Sequence, residues 1–211
     1  MKLITKLYKE QLSEWPQSGN HIMAQFDQEK IIVYQSYRPE IGNFAVQNQF
    51  FGGAFSLNRM TWIKPNFLWM MYRNGWGKKE GQEVVLAITL KRETFEDYLS
   101  KAVYSSFQKD IYQTKEDWQK VVKSSNIRLQ WDPDHDPYGS KVERRAIQLG
   151  IRNKEIVAYA KESILEIEDI SDFVKQQYVH VANNDLDQLV VPYERPFIST
   201  NKEVNSKLKL E

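Results

Sequence analysis

The 211-residue chain carries 29 lysines and arginines against 28 acidic residues, so its net charge of +1 provides no whole-chain attraction to nucleic acid or to an anionic membrane. It has no cysteine, which excludes disulfides, thiolate metal sites and a cysteine nucleophile. Hydrophobic residues make up 41% and aromatics 13%, enough for a large core, yet no apolar run approaches the ~20 residues that span a bilayer. Met1–Trp15 is polar and mixed in charge without the apolar centre of a signal peptide, so a cytoplasmic protein with no membrane partner is expected.

Residues 1–20 are weakly patterned and read as an arm, broken by Pro16, Ser18 and Gly19. Residues 21–198 read as one α+β domain. Its first unit is a hairpin, His21–Phe26 and Ile31–Tyr37 about a polar link. Pro39 then opens a helix over Glu40–Gln49 with Ile41, Phe44 and Ala45 inward, and Gly52-Gly53 permits a tight loop. Arg59–Ile63 alternates as a short strand, Pro65 suits the first turn of a helix, and Gly75 ends that helix in a left-handed conformation.

Glu83–Leu90 is almost continuously apolar and is expected at the centre of the sheet. Thr94 and Thr114 are candidate caps for helices over Phe95–Phe107 and Lys115–Lys123, the second with Trp118, Val121 and Val122 as its buried stripe. Ile127–Trp131 and Arg144–Ile151 are strand-like, and the two prolines and glycine of Asp132–Gly139 predict a loop between them. A short helix over Glu155–Lys161, a strand over Ile164–Ile170, a helix after Ser171 and an extended Val190–Phe197 complete the domain. Residues 199–211 are polar and expected to be loose. The whole predicts a mixed or antiparallel, strongly twisted sheet of six or seven strands flanked by helices.

Arg59–Trp76 holds three of the six tryptophans, three cations and no acid. Cations beside aromatic faces suit a phosphate-bearing aromatic ligand. The same residues also suit a Met- and Trp-rich core helix with a basic rim, and both uses stay open. A composite cleft would draw on Gln35, Tyr37 and Arg38 from one strand, Arg59, Thr61, Trp62 and Lys64 from the next element, and Arg144, Arg145 and Gln148 from a later strand.

Asp132-Pro133-Asp134-His135-Asp136 gathers three carboxylates and an imidazole. It could serve a hard cation in a metal-dependent hydrolase, form a turn whose carboxylates satisfy backbone N–H groups, or pair with Arg144 and Arg145. The turn is the preferred use, so no metal is expected. The glycines match no Walker or dinucleotide pattern.

Ile32–Tyr37, Arg59–Arg73, Gln130–Pro137 and Arg144–Gly150 together resemble the uncharacterised family numbered 4291 among domains of unknown function, over roughly residues 20 to 198. That resemblance implies no activity. The order of the strand ending in Tyr34-Gln35, the following helix, the glycine loop and Thr61–Phe67 before Met70-Met71-Tyr72 is also similar to the NAD-binding half of DNA-targeting ADP-ribosyltransferase toxins. That second resemblance implies NAD as cofactor, a late-strand glutamate, Glu143 or Glu166, to polarise the nicotinamide ribose, and Gln35 in place of the usual first-strand histidine or arginine. The expectation is therefore an NAD-binding, ADP-ribosyltransferase-like enzyme with Glu143 as its acid. The alternative is a non-catalytic nucleotide or nucleic-acid binding module using a local basic patch.

Overall fold

A computed structural model describes residues 1–210. In chain order the strands are β1 (Thr5–Leu7), β2 (Gly19–Asn20), β3 (Ile22–Ala24), β4 (Lys30–Tyr37), β5 (Thr61–Ile63), β6 (Val84–Lys91), β7 (Val103–Tyr104), β8 (Ile127–His135), β9 (Lys141–Ile151), β10 (Ile164–Asp169), β11 (Val190–Pro192) and β12 (Arg195–Phe197). The helices are α1 (Tyr8–Glu14), α2 (Pro39–Asn48), α3 (Phe67–Asn74), α4 (Arg92–Lys101), α5 (Lys115–Ser124), α6 (Lys154–Ala158), α7 (Ser171–Ala182) and α8 (Lys202–Leu208), with a π-helical turn over Tyr159–Ser163. The class is α+β. No helix among the described residues is long and apolar enough to cross a membrane.

Two sheets carry the fold. One is antiparallel in the order β10-β6-β4, so the apolar β6 is central. The other runs β2-β9-β8-β7 with β5 also on β9, and is mixed because the short β2 and β7 pair in parallel. A single bridge joins them: Tyr34 N–H donates to the Lys64 carbonyl at 2.7 Å and Lys64 N–H returns a bond to Tyr34 at 3.3 Å. The two sheets thus curl into one surface with Lys64 at the seam.

Alternation along the strands divides the core in two. Ile31, Val33, Leu86, Ile88 and Leu90 face inward with Ile63, Ile127, Leu129, Leu149 and the α4 residues Phe95, Tyr98 and Leu99. Ile32, Tyr34, Val85 and Ala87 point the other way, onto Phe67, Met70 and Met71 of α3, Val174 of α7 and Tyr8 and Trp15 at the N-terminus. The β4–β6 layer is buried on both faces, in keeping with the apolar runs Ile31–Tyr34 and Val84–Ile88.

Several predicted elements end elsewhere. Residues 1–20 do not stand apart: β1 pairs with β11, and Tyr8, Gln11 and Trp15 are buried. The 199–211 segment, expected to be loose, contains α8, capped by Asn201 and anchored by buried Val204 and Leu208. Pro65 precedes α3 instead of opening it. Asn66 is the cap, its side chain accepting the Trp69 N–H at 2.6 Å. Gly75 takes the left-handed φ of 59° that closes the helix.

Predicted Phe95–Phe107 stops at Lys101, where the chain turns into β7. Thr114 caps α5 as expected, but that helix buries no residue fully and leaves Val121 exposed. Asp132–His135 continues β8 instead of forming a loop. β7 has already ended, so Pro133 sits on an edge with β9 as its one ladder partner, where a missing N–H is tolerated. The turn is confined to Asp136–Ser140 and is tied by the Asp136 carboxylate to the Tyr138 and Ser140 N–H groups.

Candidate functional site: a cationic cleft at the sheet seam

Beside the seam lies a cleft of about 310 Å³ lined by Gln35, Tyr37, Arg59, Thr61, Trp62, Lys64, Met70, Arg73 and Gln82. It is continuous through Tyr37, Arg59, Met60 and Thr61 with a second depression of about 430 Å³ that adds Arg38, Ile41, Phe55 and Gly81. Four cations line the two, and no carboxylate does. Arg38 pairs with exposed Glu40 at 3.4 Å, whereas Arg59 and Arg73 make no salt bridge among the described residues. A larger groove of about 870 Å³ lies away from the seam, bounded by Gln28, Glu93, Glu96 and Thr200. Its cations are interleaved with carboxylates, so it lacks a field of one sign.

Lys64 dominates the electrostatics. Its residue is 7% exposed, and its ammonium makes neither a salt bridge nor a hydrogen bond with any described residue. Burial lowers its pKa from the usual 10.5 to about 8, the Arg73 guanidinium pushes the same way, and Asp132 opposes. Asp132 acts on it through space without a salt bridge; its two oxygens accept the amides of Gln130 at 2.8 Å and Gln148 at 2.7 Å.

The wall opposite is a hydrogen-bonded chain. The buried Tyr159 hydroxyl donates to Gln35 Oε1 at 2.6 Å, and Gln35 Nε2 donates to Thr61 Oγ1 at 2.7 Å and to the Trp62 carbonyl at 3.1 Å. The Tyr37 and Thr61 hydroxyls lie 2.8 Å apart. They share one bond and own two hydrogens, so one O–H is left to donate elsewhere. Burial raises the Tyr37 pKa above its usual 10, which keeps that hydroxyl protonated. The sheet floor also depends on Gly150. A Cβ there would come within 2.6 Å of Met60 Sδ and 3.0 Å of the Trp62 ring, so the absence of a side chain lets Trp62 lie against β9.

With this geometry in view, the match of a family model to residues 21–197 supplies the classification. The chain belongs to the DUF4291 family, a domain of unknown function. A comparison with curated proteins gives no match.

In this DUF4291 chain the cleft gathers Gln35, Tyr37, Arg59, Thr61, Trp62 and Lys64, six of the residues expected on sequence grounds. The late-strand residues do not join them. Glu143 is exposed on β9, seven residues from the Gly150 that pairs with Trp62, about 20 Å along a strand. Glu166 is exposed on β10 and holds the N-terminal amine at 2.8 Å.

Arg144 is buried and committed. Its Nε and Nη2 reach Asp134 Oδ2 at 2.8 and 2.6 Å, Nη1 donates to the Pro16 carbonyl, and the guanidinium lies over Trp15. Arg145 points to the other face of β9, where it donates to the Trp131 carbonyl and borders a separate 270 Å³ pocket with Lys209 and Tyr104. Gln148 shares the face of Trp62 but supports Asp132 behind the cleft.

The four polar residues of Asp132–Asp136 are likewise dispersed. Asp134 pairs with Arg144, Asp132 faces two glutamines, Asp136 ties the turn, and His135 is stacked on Tyr72 with centroids 3.6 Å apart. Among the described residues no group of three or more His, Asp or Glu is placed to hold a metal ion.

Sequence reasoning passed over Arg73, Gln82 and Tyr159. Arg73 had a usable signal, because Met70 and Arg73 stand three apart on α3 and so share a helix face. Tyr159, in the π-helical turn, reaches Gln35 across 124 positions of sequence, and no local pattern carries that contact.

Proposed function

We propose that the seam cleft binds a phosphate-bearing, nucleotide-like ligand. The supporting observation is the lining itself: Arg38, Arg59, Lys64 and Arg73 with no carboxylate, and a buried lysine lacking an internal counter-ion. An unpaired buried ammonium is unfavourable until an anion arrives, so the site is preorganised for one. The guanidinium groups suit phosphate oxygens, Trp62 and Tyr37 offer aromatic surface, and the spare hydroxyl hydrogen offers a donor to a sugar or phosphate oxygen. The adjoining depressions fall within the size range of small-molecule sites.

NAD is one member of this ligand class. ADP-ribosyl transfer would further require a carboxylate near the ribose, and Glu143 lies away from the cleft, so ligand binding is the reading the geometry favours over transfer. Short single strands of nucleic acid are a second ligand of the same chemistry, entering through the exposed Arg38 and Arg59 side.

Calorimetric titration with ATP, NAD, inorganic pyrophosphate and adenosine tests the reading. Pyrophosphate and ATP should bind, adenosine should bind far more weakly, and Lys64→Met and Arg73→Ala should each abolish or strongly weaken the phosphate-dependent part. Equal binding of ATP and adenosine, or titrations unchanged in both variants, would overturn it.

A further inference from the structure

We propose that the Lys64 amine captures phosphate-bearing aldehydes or ketones as an imine, making the cleft a covalent as well as an electrostatic site; this rests on the anion-binding reading above.

Three features of the geometry point to it. The side chain is largely buried yet lines an open cleft, so a ligand can reach the amine. No carboxylate lines the cleft, and Asp132 makes no salt bridge to Lys64, so its opposing effect is outweighed by burial and Arg73. Arg73 and Arg59 border the same cleft and place positive charge where a phosphate would be drawn in, setting the carbonyl of the same molecule beside the amine. A lysine that is desolvated and next to another cation is the arrangement that activates amines as nucleophiles. The lowered pKa of about 8 means that a substantial fraction of the amine is neutral near physiological pH.

The step needs no oxidant or reductant. The neutral nitrogen adds its lone pair to the carbonyl carbon, and the carbonyl π pair moves to oxygen. Protons pass from nitrogen to that oxygen, and it leaves as water. One amine and one carbonyl give one imine and one water.

The experiment treats the full-length protein with pyridoxal 5′-phosphate and, separately, with pyridoxal, reduces any imine with borohydride to a stable secondary amine, and maps the label by peptide mass spectrometry. Lys64 should be labelled first, and at least about tenfold faster by the phosphorylated aldehyde, the gain expected of one charge-assisted phosphate contact. Pyrophosphate should protect it, Arg73→Ala should slow it, and the rate should climb as pH passes through about 8, where the amine loses its proton.

Label spread over exposed lysines such as Lys78 and Lys79, with no phosphate preference, would overturn the proposal. If calorimetry shows pyrophosphate binding but Lys64 stays unlabelled, covalent capture falls while the anion-binding reading stands. If neither occurs, both fall.

Discussion

Lys64→Met should make the protein more stable while removing its ligand. The lysine pKa falls from 10.5 to about 8 on folding. At ~1.36 kcal/mol per tenfold change in proton affinity, keeping the ammonium in the folded state costs roughly 3 kcal/mol relative to the unfolded chain. Methionine has similar length and no charge, and the neighbouring Met70 and Trp62 offer it an apolar setting. About 1–3 kcal/mol of stabilisation is expected after imperfect packing, or several degrees in Tm at ~2–4 °C per kcal/mol for a chain of this size.

The pH dependence has a definite sign. Below pH 8 both states are protonated and the full penalty acts. Between about pH 8 and 10.5 the folded lysine is neutral while the unfolded one still holds its proton, so the penalty fades as pH rises. The advantage of Lys64→Met in urea melts should therefore be greatest near pH 7 and shrink by pH 9.5. A variant less stable than the parent at pH 7, or an advantage constant across that range, would refute the claim that Lys64 is an uncompensated buried cation.

Arg144→Ala should cost roughly 3–5 kcal/mol in chemical denaturation, because it leaves the fully buried Asp134 charge unpaired, and it should not change pyrophosphate affinity in protein that remains folded. Gln35→Leu should lose about 1–3 kcal/mol through the orphaned Tyr159 hydroxyl, measurable by the same melts. Gly150→Ala should cost about 1–3 kcal/mol by pushing Met60 and Trp62 off β9, with a shift in tryptophan fluorescence and weaker ligand binding. Glu143→Gln should alter neither the melt nor the titration with NAD; a selective loss of nicotinamide release in that variant would restore the transferase assignment.

The strands that are buried on both faces were legible because their residues say one thing over eight positions, as in Val84–Lys91. The helix around Met70 is legible because a proline turn and a glycine stop bracket an apolar turn, although the cap is Asn66 and Pro65 lies outside the helix. Asp132–His135 was not, since proline is a strand breaker only where both edges are paired, and edge position is a tertiary fact. The terminal segments failed for a related reason: β1 and α8 gain their order from distant partners such as β11, not from local propensity. In the cleft, the cluster Arg59–Lys64 was visible as local composition. Arg144 and Arg145 look equivalent in sequence, and alternation on a strand sends one into a buried ion pair and the other to the opposite face.

The cleft's charge is more informative for coming from separate parts of the chain. Arg38 follows β4, Arg59 precedes β5, Lys64 sits in the turn at the seam, and Arg73 rides on α3. No single basic run would place them together. Their convergence is a product of the curl that the Tyr34–Lys64 bridge closes. At that bridge the backbone requirement is met by the peptide groups alone, so any residue able to adopt the strand conformation would serve the fold there, and an apolar one would serve it better. The side chain found instead is the one that stays costly until an anion enters, since Asp132 acts on it without a salt bridge. Any relief of that cost is already contained in the ligand's affinity, so the rise in Tm on binding should follow ligand affinity and concentration. The added stability should resist salt better than surface pairing does, because the contact at Lys64 is shielded from solvent while those at Arg38 and Arg59 are exposed.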